Sequence, residues 1–202
     1  MNRAALQSVF YQIKQRFGPV HVLSNHAGIG GGMRVLKTPD DAWKRVQSVN
    51  LWGPINGIKV FLPNILEHGD DKHIVNTASF SGIEGHGHPS AHGASKFALV
   101  GLCEFLSNDL VDSAISVSVL CPHVVDTPLI VALRSRLKDQ HRKLLDKVAA
   151  PAMTVTGQVL NAIKNEECDV FCDGKDTRKM LERRYDKLLA EMNRQCPKGE
   201  NA

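Results

Sequence analysis

Four short apolar segments, residues 20–23, 73–77, 115–121 and 169–172, are separated by stretches long enough for a helix. That alternation constrains the fold more than any other feature. Parallel strands need a crossover of a dozen or more residues, usually helical. The intervening stretches carry the helical repeat. Leu6, Val9, Phe10, Ile13 and Phe17 predict an amphipathic helix over 4–17, ended by Gly18 and Pro19. Asp40 or Asp41 is placed to cap a long helix over 42–66, which Pro54 and Pro63 should kink or break. Further helices are predicted over 90–111, 129–149, 154–165 and 176–193. Leu133, Leu137, Leu144, Leu145 and Val148 should form one side of the third last of these, and Leu181, Tyr185, Leu188 and Met192 the stripe of the last. The fold class is therefore α/β with a parallel sheet, in a single domain over 1–202 whose end, 175–202, is a helix and a loose tail.

Composition narrows the function classes. The 202 residues suffice for one sizeable core. The net charge of +4 is spread along the chain, and no basic run is interleaved with aromatics, so nucleic acid is not an expected partner. No apolar run reaches the length of a membrane span, and no membrane partner is expected. Five cysteines at spacings that match no zinc pattern, with no signal peptide, point to reduced thiols and a cytoplasmic location.

Chemistry concentrates in HIVNTASFSGIEGHGHPSAHGASKF, residues 73–97. It reads as a strand, a loop rich in Gly and His, and the start of a helix. Ser79 lies just past the carboxyl end of the strand, where open α/β sheets bind ligands. His92 and Lys96 are spaced i, i+4 and share one helical face. His86, His88 and His92 form H-x-H-x-x-x-H, but Pro89 interrupts a continuous helix there, and no metal is expected. Asn50, inside the 42–66 helix, is poorly placed by propensity. Ser24-Asn25-His26-Ala27-Gly28 follows the first strand, and small residues there allow close approach of a ligand to the backbone.

These residues resemble the short-chain dehydrogenase/reductase family. His92-Gly-Ala-Ser-Lys96 matches its Tyr-x-x-x-Lys pattern at Lys96 and departs at His92. Asn25, Ala27 and Gly28 match its Asn-Asn-Ala-Gly turn, with His26 replacing the second Asn. Pro122, Val125 and Thr127 match its Pro-Gly-x-Val-x-Thr turn, with His123 replacing the Gly, a change that suits positive φ less well. The resemblance implies a Rossmann-like, doubly wound parallel sheet and an NAD- or NADP-dependent oxidoreductase acting on an alcohol or carbonyl of a small molecule. Ser79 would bind the substrate oxygen and His92 would replace the Tyr as acid–base residue. Lys96 would favour its deprotonated form and hold the ribose, and Asn50 would order a relay water. Asn25, Ala27, Gly28, Lys96, Pro122, Val125 and Thr127 would contact the cofactor. A homo-oligomer through the 42–66 and 90–111 helices is also implied.

The Gly-rich turn of a dinucleotide fold, and the acid that follows it, do not occur. The sheet is thus expected to be incomplete, truncated by roughly 60 residues of βαβ structure, with strand 20–23 left as an edge. Catalysis is expected to be impaired, by about 10²-fold or more for the missing Tyr. The alternative is a non-catalytic remnant that serves as a binding module.

Overall fold

The computed structural model describes residues 3–69, 71–135 and 138–196. Strands β1 (Val22–Asn25), β2 (Lys72–Thr77), β3 (Ile115–Cys121) and β6 (Asp169–Phe171) form one parallel sheet in the order β1-β2-β3-β6. Helices α1 (Arg3–Phe17), α2 (Asp40–Asn50), α3 (Trp52–Leu66), α4 (Ser90–Asp109), α5 (Pro128–Arg134), α6 (Asp139–Val148), α7 (Ala152–Asn165) and α8 (Lys175–Gln195) surround it. A separate parallel pair, β4 (Val125–Asp126) with β5 (Ala150–Pro151), ties together the two ends of the excursion that carries α5 and α6.

Alternation along each strand splits the sheet into two faces. The register sets Ile74 beside Val117 and Asn76 beside Val119. These side chains meet α1, α3 and α4 in a core that includes Phe10, Ile58, Phe61, Ile65, Leu99 and Leu106. Burying each such side chain stabilises the fold by about 1.5–3 kcal/mol. The opposite face puts Leu120 and Val170 against Val155 and Ala162 of α7. Helices therefore cover both faces, as a doubly wound sheet requires.

Several boundaries differ from expectation. The 42–66 helix is two helices, broken at Leu51 (φ −115°, ψ −58°). Proline at 54 has no N–H for the Asn50 carbonyl, and its ring would crowd that carbonyl. The chain breaks just upstream, and Pro54 falls in the first turn of α3. Asn50 is thus the last residue of α2 rather than a mid-helix residue. Pro63 lies inside α3, which continues past it.

The expected 129–149 helix is also two helices, and Val148 is exposed. Leu137 and the side chains of Leu133 and Leu144 lie outside the described residues, as does the tail from 197. In α1, Leu6, Phe10 and Ile13 pack inward, but Val9 and Phe17 are exposed. In α8, Met180 is buried, whereas Tyr185, Leu188 and Met192 of the expected stripe are more than half exposed. β1 lies at the edge of the sheet, with Val22 exposed.

Candidate active site

Because β1, β2 and β3 run parallel and in register, Asn25, Thr77 and Cys121 end at one rim. The loops after them converge there with the start of α4. Lys96, almost fully buried, donates from Nζ to the Thr77 carbonyl at 2.6 Å. Gly28 lies directly over it: a Cβ on Gly28 would stand 3.5 Å from Lys96 Nζ and 3.6 Å from Asn50 Oδ1.

Asn50 is fully buried at the end of α2. Its Oδ1 accepts from the Ile29 N–H at 2.8 Å, and its Nδ2 donates to the Ile29 carbonyl at 3.0 Å and to Ser95 Oγ at 3.0 Å. Ser95 Oγ in turn donates to the His92 carbonyl at 2.7 Å. His92 Nδ1 lies 3.2 Å from the Ile29 carbonyl oxygen. Both Asn50 N–H donors are thus spent within the protein. The side chain clamps residue 29 to α4.

Burial pushes the Lys96 ammonium down to about 8. His92 is held below the usual imidazole range, first by burial, with Lys96 and His86 adding to the effect and the Ile29 carbonyl opposing it. Burial thus brings the Lys96 ammonium closer to neutrality and moves the His92 ring to the acid side of its usual range.

Ser79 is buried at the mouth of β2 and accepts from the Ser81 N–H at 3.2 Å, which leaves its hydroxyl proton available. Ser81, the nearby alternative, has its hydroxyl 3.3 Å from His86 Nε2. The His86 and His123 rings stack on Phe80, with centroids 5.1 and 4.5 Å away, and His123 Nε2 is 3.0 Å from Asp173 Oδ2. Position 123 does not need positive φ, because Glu166 is the one described non-glycine residue that has it. The substitution of Gly by His there carries no backbone strain. His86 and His92 turn to different partners, and no group of three or more metal-ligating side chains occurs among the described residues.

The remaining positions divide. Ala27 and Gly28 are exposed at the rim. Asn25 turns its carboxamide away, donating to Asn76 Oδ1 at 2.9 Å beneath Gly57 of α3. The Pro122 carbonyl accepts from the Phe80 N–H at 3.0 Å, joining the exits of β2 and β3. Val125 packs into the second core, and the Thr127 carbonyl accepts from Ile130 and Val131 at the start of α5. Ile29, Thr77 and Ser95 belong to the site although no side-chain pattern marks them. Ile29 and Thr77 act through backbone, and Ser95 reads as a small helical residue. Two hollows at the β6 edge, of about 230 and 380 Å³, are lined by none of these residues.

The family model described as short chain dehydrogenase matches residues 1–138. A 1-deoxy-11-beta-hydroxypentalenate dehydrogenase of Streptomyces exfoliatus is 29% identical over 187 residues, 92% of this chain and 66% of that protein. Short-chain dehydrogenase/reductase family 16C member 6 of Bos taurus is 34% identical over 171 residues, 82% of this chain and 51% of that protein. This chain thus spans between about half and two thirds of the length of these curated relatives. A solved short chain dehydrogenase/reductase from Burkholderia phymatum, in complex with NAD, superposes with a TM-score of 0.82 at 28% identity, covering 94% of this chain and 74% of that one. With the strand-end lysine, its helical partner His92 and the matching turns already in place, the chain belongs to the short-chain dehydrogenase family.

Proposed function

We propose that this chain carries the proton-handling half of an NAD- or NADP-dependent oxidoreductase that interconverts an alcohol and a carbonyl on a small molecule. The observation that carries this reading is the pairing of Lys96, fixed on the Thr77 carbonyl, with His92, fixed on the Ile29 carbonyl, one helical turn apart at the strand ends. The bound nicotinamide supplies the hydride acceptor or donor. Exposed Ala27 and Gly28, small and set over Lys96, suit the nicotinamide ribose, with Lys96 as its hydrogen-bond donor. Pro122, Val125 and Thr127 shape the opposite wall, and Asn25 acts by bracing the turn.

Ser79 donates to the substrate oxygen. His92 takes or returns its proton in the role that the family gives to a Tyr. Lys96, a nearby cation, favours the unprotonated imidazole. An imidazole is shorter than a phenol and meets the substrate oxygen less well, so turnover is about 10²-fold or more below a Tyr version. Homo-oligomers form through the 42–66 stretch, now α2 and α3, and through α4; α3 and α4 expose Trp52 and Phe105. The protein acts in the cytoplasm; no described helix is long and apolar enough to cross a membrane.

Calorimetric titration with NADH and NADPH, followed by an alcohol and carbonyl screen of the wild type beside His92→Tyr, tests this. Micromolar binding and a gain of about 10²-fold in the variant support the reading. A folded chain that binds neither nucleotide and gains nothing from the Tyr favours a non-catalytic module instead.

A further inference from the structure

We infer that the Asn50–Ile29–Ser95 clamp locks His92 as the Nδ1–H tautomer, leaving Nε2 as a preset general base, so that the site is built for alcohol oxidation rather than carbonyl reduction at neutral pH. This rests on the oxidoreductase reading for its chemistry but not for its geometry. The argument begins at Ile29. A backbone N–H only donates, so the atom of Asn50 that lies 2.8 Å from it is the carboxamide oxygen. That fixes the amide orientation, and Nδ2 then donates to the Ile29 carbonyl and to Ser95 Oγ. Ser95 Oγ in turn donates a hydrogen bond to the His92 carbonyl. The circuit closes at the ring: a carbonyl oxygen only accepts, so His92 Nδ1, 3.2 Å from the Ile29 oxygen, carries a hydrogen. In the neutral ring the other nitrogen, Nε2, is then the acceptor.

A Tyr in this role arrives protonated at neutral pH and must be deprotonated before it can act as a base. His92 arrives as a base. In the forward step the substrate O–H bond breaks and its proton goes to Nε2. The carbinol C–H bond breaks with its electron pair going to an oxidised nicotinamide, and the C=O bond forms. The imidazolium keeps its Nδ1–H on Ile29 and releases the Nε2 proton to water, which a half-buried ring can reach. Reduction needs the imidazolium first, and the half-buried ring, flanked by Lys96 and His86, resists that state. Asn50 and Ser95 are positioning residues: their side chains bond Ile29, His92 and each other, and they act by holding the Ile29 carbonyl.

The test is the tautomer itself. Uniformly 15N-labelled full chain is examined by long-range 1H–15N correlation at pH 8, with His92 assigned from the signal lost in His92→Gln. The expected spectrum shows a pyrrole-type Nδ1 and a pyridine-type Nε2. The reverse pattern, or rapid averaging between the two, overturns the inference whatever the turnover. Asn50→Asp replaces the clamp's donor with an acceptor, and Ser95→Ala removes its anchor with little change in volume. In whichever of these folds, the Nδ1–H population falls; an unchanged spectrum in a folded Ser95→Ala chain and a folded Asn50→Asp chain refutes the positioning role. Alcohol oxidation should lose about tenfold per pH unit below the His92 titration, as a single required base dictates. A locked Nδ1–H ring with no oxidation of any alcohol keeps the tautomer assignment but overturns the preference for oxidation, and with it the proposed function.

Discussion

Glycine to alanine in the middle of a helix normally stabilises by about 1 kcal/mol; at Gly57 the sign should reverse. A Cβ there would stand 2.4 Å from Asn25 Oδ1 and 3.3 Å from its Cγ. The Asn25 carboxamide cannot simply swing aside, because its Nδ2 is bonded to Asn76 Oδ1 and α3 lies over it. Moving it leaves an acceptor unmet on fully buried Asn76, at about 1–3 kcal/mol. Shifting α3 instead costs about 1–3 kcal/mol in overpacking. Against the propensity gain of about 1 kcal/mol, either adjustment alone leaves a net loss of up to about 2 kcal/mol and both together about 1–5 kcal/mol, and at this chain length each kcal/mol moves the midpoint by about 2–4 °C. Gly157→Ala is the control, since its Cβ meets nothing within 4 Å on the exposed side of α7. Thermal and urea unfolding should show Gly57→Ala destabilised and Gly157→Ala stabilised. In an Asn25→Ala background the added methyl at 57 should turn favourable. If Gly57→Ala matches the control, or costs as much with Asn25 removed, the close approach of α3 to the strand end is not what demands glycine.

Three further outcomes follow from the buried ionisable groups. Lys96 has a folded value of about 8 against 10.5 for the free group. Both states are protonated below 8, so the penalty for burying the cation is fully present there and is relieved as pH rises from 8 to 10.5. The stability of wild type relative to Lys96→Met should therefore climb through that window, by no more than about 3 kcal/mol, and a flat difference in urea midpoints would contradict it. Cys103 and Cys121, pushed up to about 12 by burial, act with the opposite sign. Their thiols stay protonated in the fold while the unfolded chain loses protons above 9, so Cys121→Ala should lessen the alkaline loss of stability seen by circular dichroism. His73, 2.7 Å from Ser118 Oγ, is held below the usual imidazole range mainly by burial. The unfolded chain then binds the proton more readily as pH falls below 6.5, and stability drops. His73→Gln should flatten that limb of the stability profile, and an unchanged acid limb would show that the ring protonates without cost in the fold.

What the sequence reveals, and what it hides, follows from how each residue acts. The strand pattern places all four strands of the main sheet, because parallel strands buried on both faces leave apolar runs bounded by turns. The two-residue pair β4–β5 is too short to leave any periodicity. The α8 stripe is a true helical repeat, but nothing among the described residues covers its second half, and periodicity reports a face without saying whether it is buried. His92 and Lys96 are legible because both place chemistry-bearing side chains at i, i+4 on one helical face. Ile29 and Thr77 are not, because they offer the site a carbonyl, and every residue type carries one.

The placement of Asn50 shows how a feature legible only as a disruption shapes the candidate site. Read from composition, Pro54 is a kink in a long helix. In the fold it ends α2 four residues earlier, at the one carbonyl its ring would crowd. An Asn in the middle of a continuous helix would spend its turn competing with the ladder of i, i−4 bonds. At the last position of α2, packed against α4, the carboxamide is free of that ladder and reaches the N–H and carbonyl of Ile29 together with Ser95. The proline therefore does for the site what no side chain at 50 does alone: it puts a rigid, fully buried amide where it can hold the carbonyl on which the His92 ring rests.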